Sequence, residues 1–364
     1  MDEGNHRSAV LTFRARMAPP RVLFLTPDIN SYLADSVFHG LRSVLGADVV
    51  DYPKHEIAYR TFPETRRGGL YGRGFTLYGL LEDIEVERYG ALDRMRHGEF
   101  DAVVFPDITK HFGLFCELVP DLQELGVRVA VLDGTDFPAP YPYSPKWWRR
   151  PYWWFLPRAH RRFTYFKREL MPLTETFRFF GLVPPPLAAL LPNRAMHRIA
   201  FSIPEEKIVG SPPAKSKRFP AHIVDPEVAA HVPEARTGHA FEREEDYYAD
   251  LRAARFGITT KKAGWDALRH YEIAASGAVP CFRNLHRKPS SCAPHGLDES
   301  NCVIYRSWED LTARLDAIDE SRYEPLQRAA IAWARANTTR ARAHQLLEAL
   351  GLGQVPADLA RAPA

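Results

Sequence analysis

The stretch from Arg255 to Arg283, RFGITTKKAGWDALRHYEIAASGAVPCFR, constrains the fold more than any other part of the chain. Phe256-Gly257-Ile258-Thr259-Thr260 is a short β-branched run, as a strand prefers. From Lys262 to Ser276 the period changes: Gly264, Ala267, Leu268, Tyr271, Ala274 and Ala275 fall on one helical face. The small residues on that face permit close packing against a sheet. Thr260 is placed to cap the helix through its side-chain oxygen. Gly277 stops it where a left-handed backbone is needed, and Ala278 to Phe282 resumes as a strand. Strand, helix and strand at this spacing make a βαβ crossover, so the surrounding sheet is expected to be largely parallel.

The first half repeats the style. Residues 1 to about 19 show no clear period and read as a loose leader, with Met17 as an alternative start. Arg21 to Thr26 is a continuous apolar strand of the kind buried on both faces. Tyr32 to Leu45 then reads as a helix ending at Gly46, and Ala47 to Tyr52 as a second strand. Ala102 to Phe105 and Val127 to Leu132 are further strands, separated by a helix through Leu125. Ligands of open parallel sheets bind beyond the carboxyl ends of the strands, where Asp28, Asp107, Asp133 and Asp136 all fall. Each either offers a carboxylate to one shared crevice or fixes a turn or helix cap. The glycine-rich GGLYGRGF around Gly72 and Gly74 reads as a mobile lid or as an ordinary surface loop.

A chain of 364 residues suits two domains. The expected division is a leader at 1–19, a first Rossmann-like domain at 20–192, a second at 193–335, and a helical tail at 336–364 that returns to the first. The boundary rests on Pro184-Pro185-Pro186 and Pro192-Asn193; Arg198 to Ile203 then opens the second domain as a strand, with further strands at Phe219 to Val224 and Cys302 to Tyr305. Helices are expected from Trp308 to Ile318 and from Tyr323 to Leu350. No run of about 18 apolar residues marks a membrane span. Cys116, Cys281, Cys292 and Cys302 are widely spaced, which suits reduced thiols in a cytoplasm and argues against zinc. A net charge of +3 is too weak to imply nucleic acid. There is no G-x-G-x-x-G after the first strand and no G-x-x-x-x-G-K-S/T anywhere, so dinucleotide and Walker phosphate sites are not expected.

Pro145 to Glu169 packs eight Lys/Arg and nine aromatic residues against one acid. Three uses fit. The rings pack against the domain while Arg stems snorkel; or Trp147, Trp148, Trp153 and Trp154 anchor the chain peripherally at a membrane surface; or the segment tracks single-stranded nucleic acid, the least favoured of the three.

The run Glu272-Ile-Ala-Ala-Ser-Gly277-Ala-Val-Pro280 resembles the E-x-x-A-x-G-x-P-V signature in the C-terminal domain of GT-B-fold glycosyltransferases. The likeness covers about ten residues in the right helix-to-strand setting. It implies an α/β fold of two Rossmann-like parallel-sheet domains facing a cleft, a nucleotide-diphosphate-sugar donor, a glycan, lipid-linked or small-molecule hydroxyl acceptor, no cofactor and no bound metal. In that family the Glu binds the donor's ribose hydroxyls and the Gly-x-Pro turn lets the backbone approach it, roles that here map to Glu272 and Gly277. Many members carry a second Glu eight positions upstream; this chain has Gly264 there, so that contact to the sugar does not carry over. On residue chemistry alone Glu272 is equally a tether for Arg269, three positions earlier. Leaving-diphosphate stabilisation calls for cations at a helix N-terminus, a place suited to Thr259, Thr260, Lys261 and Lys262, with Arg255 and Arg269 beside them; the lysine pair also reads as solvated surface charge. His222 and Asp225 are weaker candidates for contact with sugar or base. Asp28, Asp133 and Asp136 are the candidate general bases toward an acceptor hydroxyl. Two other functions fit the same residues: sugar-nucleotide epimerisation, and non-catalytic binding of glycan or nucleic acid through residues 145–169.

Overall fold

Strands covered on both faces leave no place for polar side chains, and the apolar runs of the first half form such strands. The computed structural model describes residues 18–137, 141, 163–170 and 196–353. In it β1 (Val22–Leu25), β2 (Val49–Tyr52), β3 (Ala102–Phe105), β4 (Arg128–Asp133), β5 (Thr164–Lys167) and β6 (Met196–Arg198) pair in parallel in the order β2-β1-β3-β4-β5-β6. β1 and β3 are buried along their whole length. A second parallel sheet holds β7 (Phe256–Thr260), β8 (Val279–Arg283) and β9 (Val303–Tyr305). The fold is α/β, with two Rossmann-like parallel sheets on either side of a cleft.

The helices that matter to the argument are, in chain order, α1 (Tyr32–Leu45), α2 (Phe112–Leu125), α3 (Glu244–Ala253), α4 (Leu268–Ala275), α5 (Trp308–Asp316), α6 (Glu320–Ala336) and α7 (Thr339–Ala349). One core cluster runs through both units, from Phe24 and Phe38 under β1 to Trp265, Tyr271 and Trp333 under β8. α7 lies against α1, where a Cβ on Gly40 would fall 1.9 Å from the Thr339 carbonyl oxygen. His39 Nδ1 meets Thr339 Oγ1 at 2.8 Å and fastens the same crossing.

Four sequence expectations are corrected. The strand placed at Arg198 to Ile203 lies earlier, as β6, and extends the first sheet instead of opening the second. Phe219 to Val224 forms only one isolated bridge, His222 with Arg236; Pro220 has no N–H to give, and the Ala221 N–H goes to Asp250 Oδ2 at 2.8 Å. The tail helix divides at Asn337-Thr338, because the Thr338 side chain accepts the Ala341 N–H and starts α7. The helix expected from Lys262 begins only at Leu268. The leader at 1–16 with Met17, the prolines at the domain boundary, and Trp147, Trp148, Trp153 and Trp154 lie outside the described residues. Among the described residues no helix is long and apolar enough to cross a membrane.

Gly40→Ala is expected to destabilise the protein by roughly 1–3 kcal/mol through overpacking at the α1–α7 crossing. Urea unfolding at neutral pH measures this; a midpoint unchanged from wild type contradicts the close approach.

Candidate functional site

In the first sheet β2 lies on one side of β1 and β3 on the other, so the loops leaving β1 and β3 diverge and open a crevice at their carboxyl ends. A cavity of about 610 Å³ occupies it. One wall comes from the loops after β1 (Asn30, Ser31), β3 (Asp107, Thr109, Lys110) and β4 (Gly134, Thr135, Asp136). The other comes from the second domain: Lys262, Ala263, Gly264, Asp266 and the start of α4 with Arg269 and Glu272.

The two walls are joined by the residues that follow β5. Arg168 donates to the Gly134 carbonyl (3.0 and 3.1 Å), to the Asp266 carbonyl (2.9 Å), to Glu169 Oε1 and to Asp136, and its guanidinium lies 4.5 Å from the Phe201 ring centroid. Glu169 Oε1 in turn accepts the backbone N–H groups of Trp265 (2.8 Å) and Asp266 (3.1 Å). Burial opposes charge on both; the neighbouring Asp266, Glu169 and Asp136 outweigh it for Arg168, whose pKa is raised, while burial prevails for Glu169 and lifts its carboxyl above the usual range. With two amides captured in this way, residues 262–266 form a loop and cannot continue into the helix. Gly264 is part of the same constraint. A Cβ there would lie 2.5 Å from Glu169 Oε1 and 2.6 Å from Asp136 Oδ1.

α4 starts behind this loop with Ala267 in the capping position and no side-chain cap, which leaves first-turn amides at the cavity edge. Around them gather Lys262, Arg269, His222 and His239, all lining the cavity. Arg269 donates to His222 Nε2 at 3.4 Å, so the ring carries its proton on Nδ1, toward the Thr237 backbone. Burial, then Arg269, His239 and Lys262, push the His222 pKa down to about 3. His239 is lowered by burial and by Arg73, Arg269 and Lys262, and Lys262 by burial and Arg269. Burial is the largest cause of all three shifts, and the neighbouring cations add to it.

Glu272 is buried at this wall, its Oε1 accepting from Thr76 and its Oε2 from the Tyr247 hydroxyl at 2.6 Å. The tether to Arg269 is not its arrangement: Arg269 turns to His222. Lys262, Arg269 and Glu272 therefore stand together. The other expected donor residues do not join them. Thr259 is buried and bonded to His270 Nδ1 at 2.8 Å, and Thr260 caps no helix because α4 starts eight residues later. Lys261 folds back on the carbonyls of Lys262 and Ala263. Arg255 lies at the other end of β7, about 17 Å of strand away, paired with Glu320 and 3.9 Å from the Tyr323 ring centroid. Gly277 ends α4 at that far end, with φ +69°, its carbonyl held by Gln327.

Of the three acids expected to act on an acceptor, Asp136 lines the cavity. Asp28 is exposed outside the lining residues. Asp133 is fully buried: Oδ1 accepts from Lys167, and Oδ2 from the Tyr165 hydroxyl and the Tyr141 amide, which suits it to tie the carboxyl end of β4 to β5 and keeps it from the cleft. Asp107 binds the Thr109 amide and hydroxyl and fixes a turn. Asp225 caps a short helix and pairs with Arg283. Arg168, Glu169, Asp266, His239, Thr76 and Tyr247 were not singled out in the sequence; Arg168 and Glu169 sit at the end of the basic aromatic segment, and nothing local connects them to residues almost a hundred positions away.

No protein-family model matches the sequence, and no curated protein matches it. Among solved structures, the chain is similar to a glycosyltransferase from Rickettsia africae ESF-5, with a TM-score of 0.50 at 7% identity over 95% of this chain and 100% of that one. It is also similar to HepE of Anabaena in complex with UDP, with a TM-score of 0.49 at 12% identity over 91% and 99%.

His222 ties stability to pH. The unfolded chain takes up its proton as pH falls through about 6.5, whereas the folded ring stays neutral to about 3, so stability should fall with pH across that window. His222→Gln should lose less stability than wild type between pH 7.5 and 5 in urea melts; equal losses contradict a ring held neutral.

Proposed function

We propose that this chain is a GT-B-like glycosyltransferase that takes a sugar from a nucleotide-diphosphate donor held by the second domain and delivers it to a hydroxyl acceptor at the first. The observation that carries the reading is the meeting, in one cavity, of the uncapped start of α4, Lys262, Arg269 and two neutral histidines. A helix N-terminus with adjacent cations is a site for phosphate. The likeness in fold to the Rickettsia glycosyltransferase is consistent with this layout.

The roles follow from position. A donor diphosphate lies against the amides at the start of α4, with Lys262 and Arg269 taking up charge as it leaves. Glu272, one turn further along the helix, accepts the ribose hydroxyls. Asp136 faces the same cavity from the first domain; its Oδ1 is held by Arg168, which leaves Oδ2 for the proton of an acceptor hydroxyl. Arg168, Glu169 and Gly264 act on geometry, keeping the loop before α4 against the acceptor wall.

Glu272→Ala should weaken binding of UDP or another nucleoside diphosphate by about tenfold or more, because hydrogen bonds to a charged group are worth roughly 1.5–3 kcal/mol, while circular dichroism stays as in wild type. Calorimetry decides: unchanged affinity in the folded variant contradicts the assignment.

A further inference from the structure

The glycine-rich loop between β2 and β3 reaches from the first domain into the second, and its backbone is unusual. Gly72, Arg73, Gly74, Thr76 and Gly79 all have φ between +59° and +75°. Thr76, at +75°, is β-branched, and such a residue rarely adopts this conformation. Backbone strain of this kind persists only where the surroundings over-determine it, and here they do. The Thr76 amide donates to Glu244 Oε1 at 2.6 Å, an oxygen that also accepts from Lys207. Its hydroxyl lies 2.9 Å from the Tyr248 hydroxyl and donates to Glu272 Oε1. Thr76 has one hydroxyl proton and gives it to the carboxylate, so Tyr248 must donate to Thr76.

The result is a directed chain, Tyr248 to Thr76 to Glu272, closed on the other side by Tyr247 to Glu272 Oε2. Each carboxylate oxygen has accepted one proton donor and keeps a lone pair. Glu272 lines the cavity, and a cis-diol would meet both oxygens at once.

We propose that Thr76, a residue of the first domain, is a positioning residue for the Glu272 carboxylate, so that the diol-binding part of the donor site in the second domain is completed by the loop of the first. The inference rests on the reading of Glu272 as the ribose-binding group. Selection for a ribonucleotide donor then depends on the cleft being closed at residues 72–76.

The test uses the full chain. Wild type is titrated by calorimetry with UDP, GDP and ADP, and the tightest binder is carried forward with its 2′-deoxy form and with inorganic pyrophosphate. Thr76→Val keeps the shape and the backbone strain and removes the hydroxyl. It should lower nucleoside diphosphate affinity about tenfold, the loss of one hydrogen bond to a charged group, and shrink the preference for ribose over deoxyribose. Pyrophosphate binding should be unchanged, and Thr76→Ser should restore the wild-type pattern. Equal losses for pyrophosphate and nucleotide would make Thr76 a tether between domains and overturn the proposal, as would wild-type behaviour of the valine variant. Glu272→Gln separates the two levels: if it abolishes the ribose preference while Thr76→Val retains it, the positioning role fails and the donor site stands. If Glu272→Gln also keeps the preference, or none of the three nucleotides binds, the donor reading fails with it.

Discussion

Arg168 and Glu169, adjacent in sequence at the end of β5, fix the relation of the two sheets to each other. A buried guanidinium is tolerable only when its N–H groups are partnered and its charge is balanced. Arg168 meets both conditions by drawing on two domains: Gly134 and Asp136 from the first, the Asp266 carbonyl from the second, and Glu169 between them. Glu169 uses the same oxygen to hold the amides of Trp265 and Asp266. Removing either partner would leave the other buried with less of its charge balanced, so the pair behaves as one element.

The cavity's chemistry follows from that clasp. It sets where α4 can begin, and so where the helix presents its unbonded amides. It brings Gly264 so close to Asp136 and Glu169 that a side chain has no room. The space beside Gly264 is taken by the carboxylates of Glu169 and Asp136. Lys262 and Arg269 stand beside His222 and His239, whose pKa values are lowered by burial first and by neighbouring cations second.

The parts legible in the sequence were those set by local pattern. Apolar runs at Val22–Leu25 and Ala102–Phe105 gave buried parallel strands, and the change of period after Thr260, followed by Gly277, gave a crossover. The illegible parts depended on distant partners. Lys262 to Ala267 has the period of a helix, but Glu169, nearly a hundred residues earlier, takes two of the amides and holds a loop. Phe219 to Val224 has strand composition, yet Pro220 and the Ala221 bond to Asp250 withhold it from a sheet. Asp133, Asp107 and Asp136 look alike at the ends of their strands; what separates them is that Asp133 is bonded to Lys167, Asp107 at the cavity wall is taken up by the Thr109 turn, and Asp136 on the same wall is bonded to Arg168.

A crystal structure of the full chain with the nucleoside diphosphate it binds best decides whether the start of α4 is the donor site. Phosphates are expected against the amides at the start of α4, within reach of Lys262 and Arg269, and ribose hydroxyls on the Glu272 carboxylate. A nucleotide bound away from α4, or one in the cavity with its ribose turned from Glu272, would contradict that assignment.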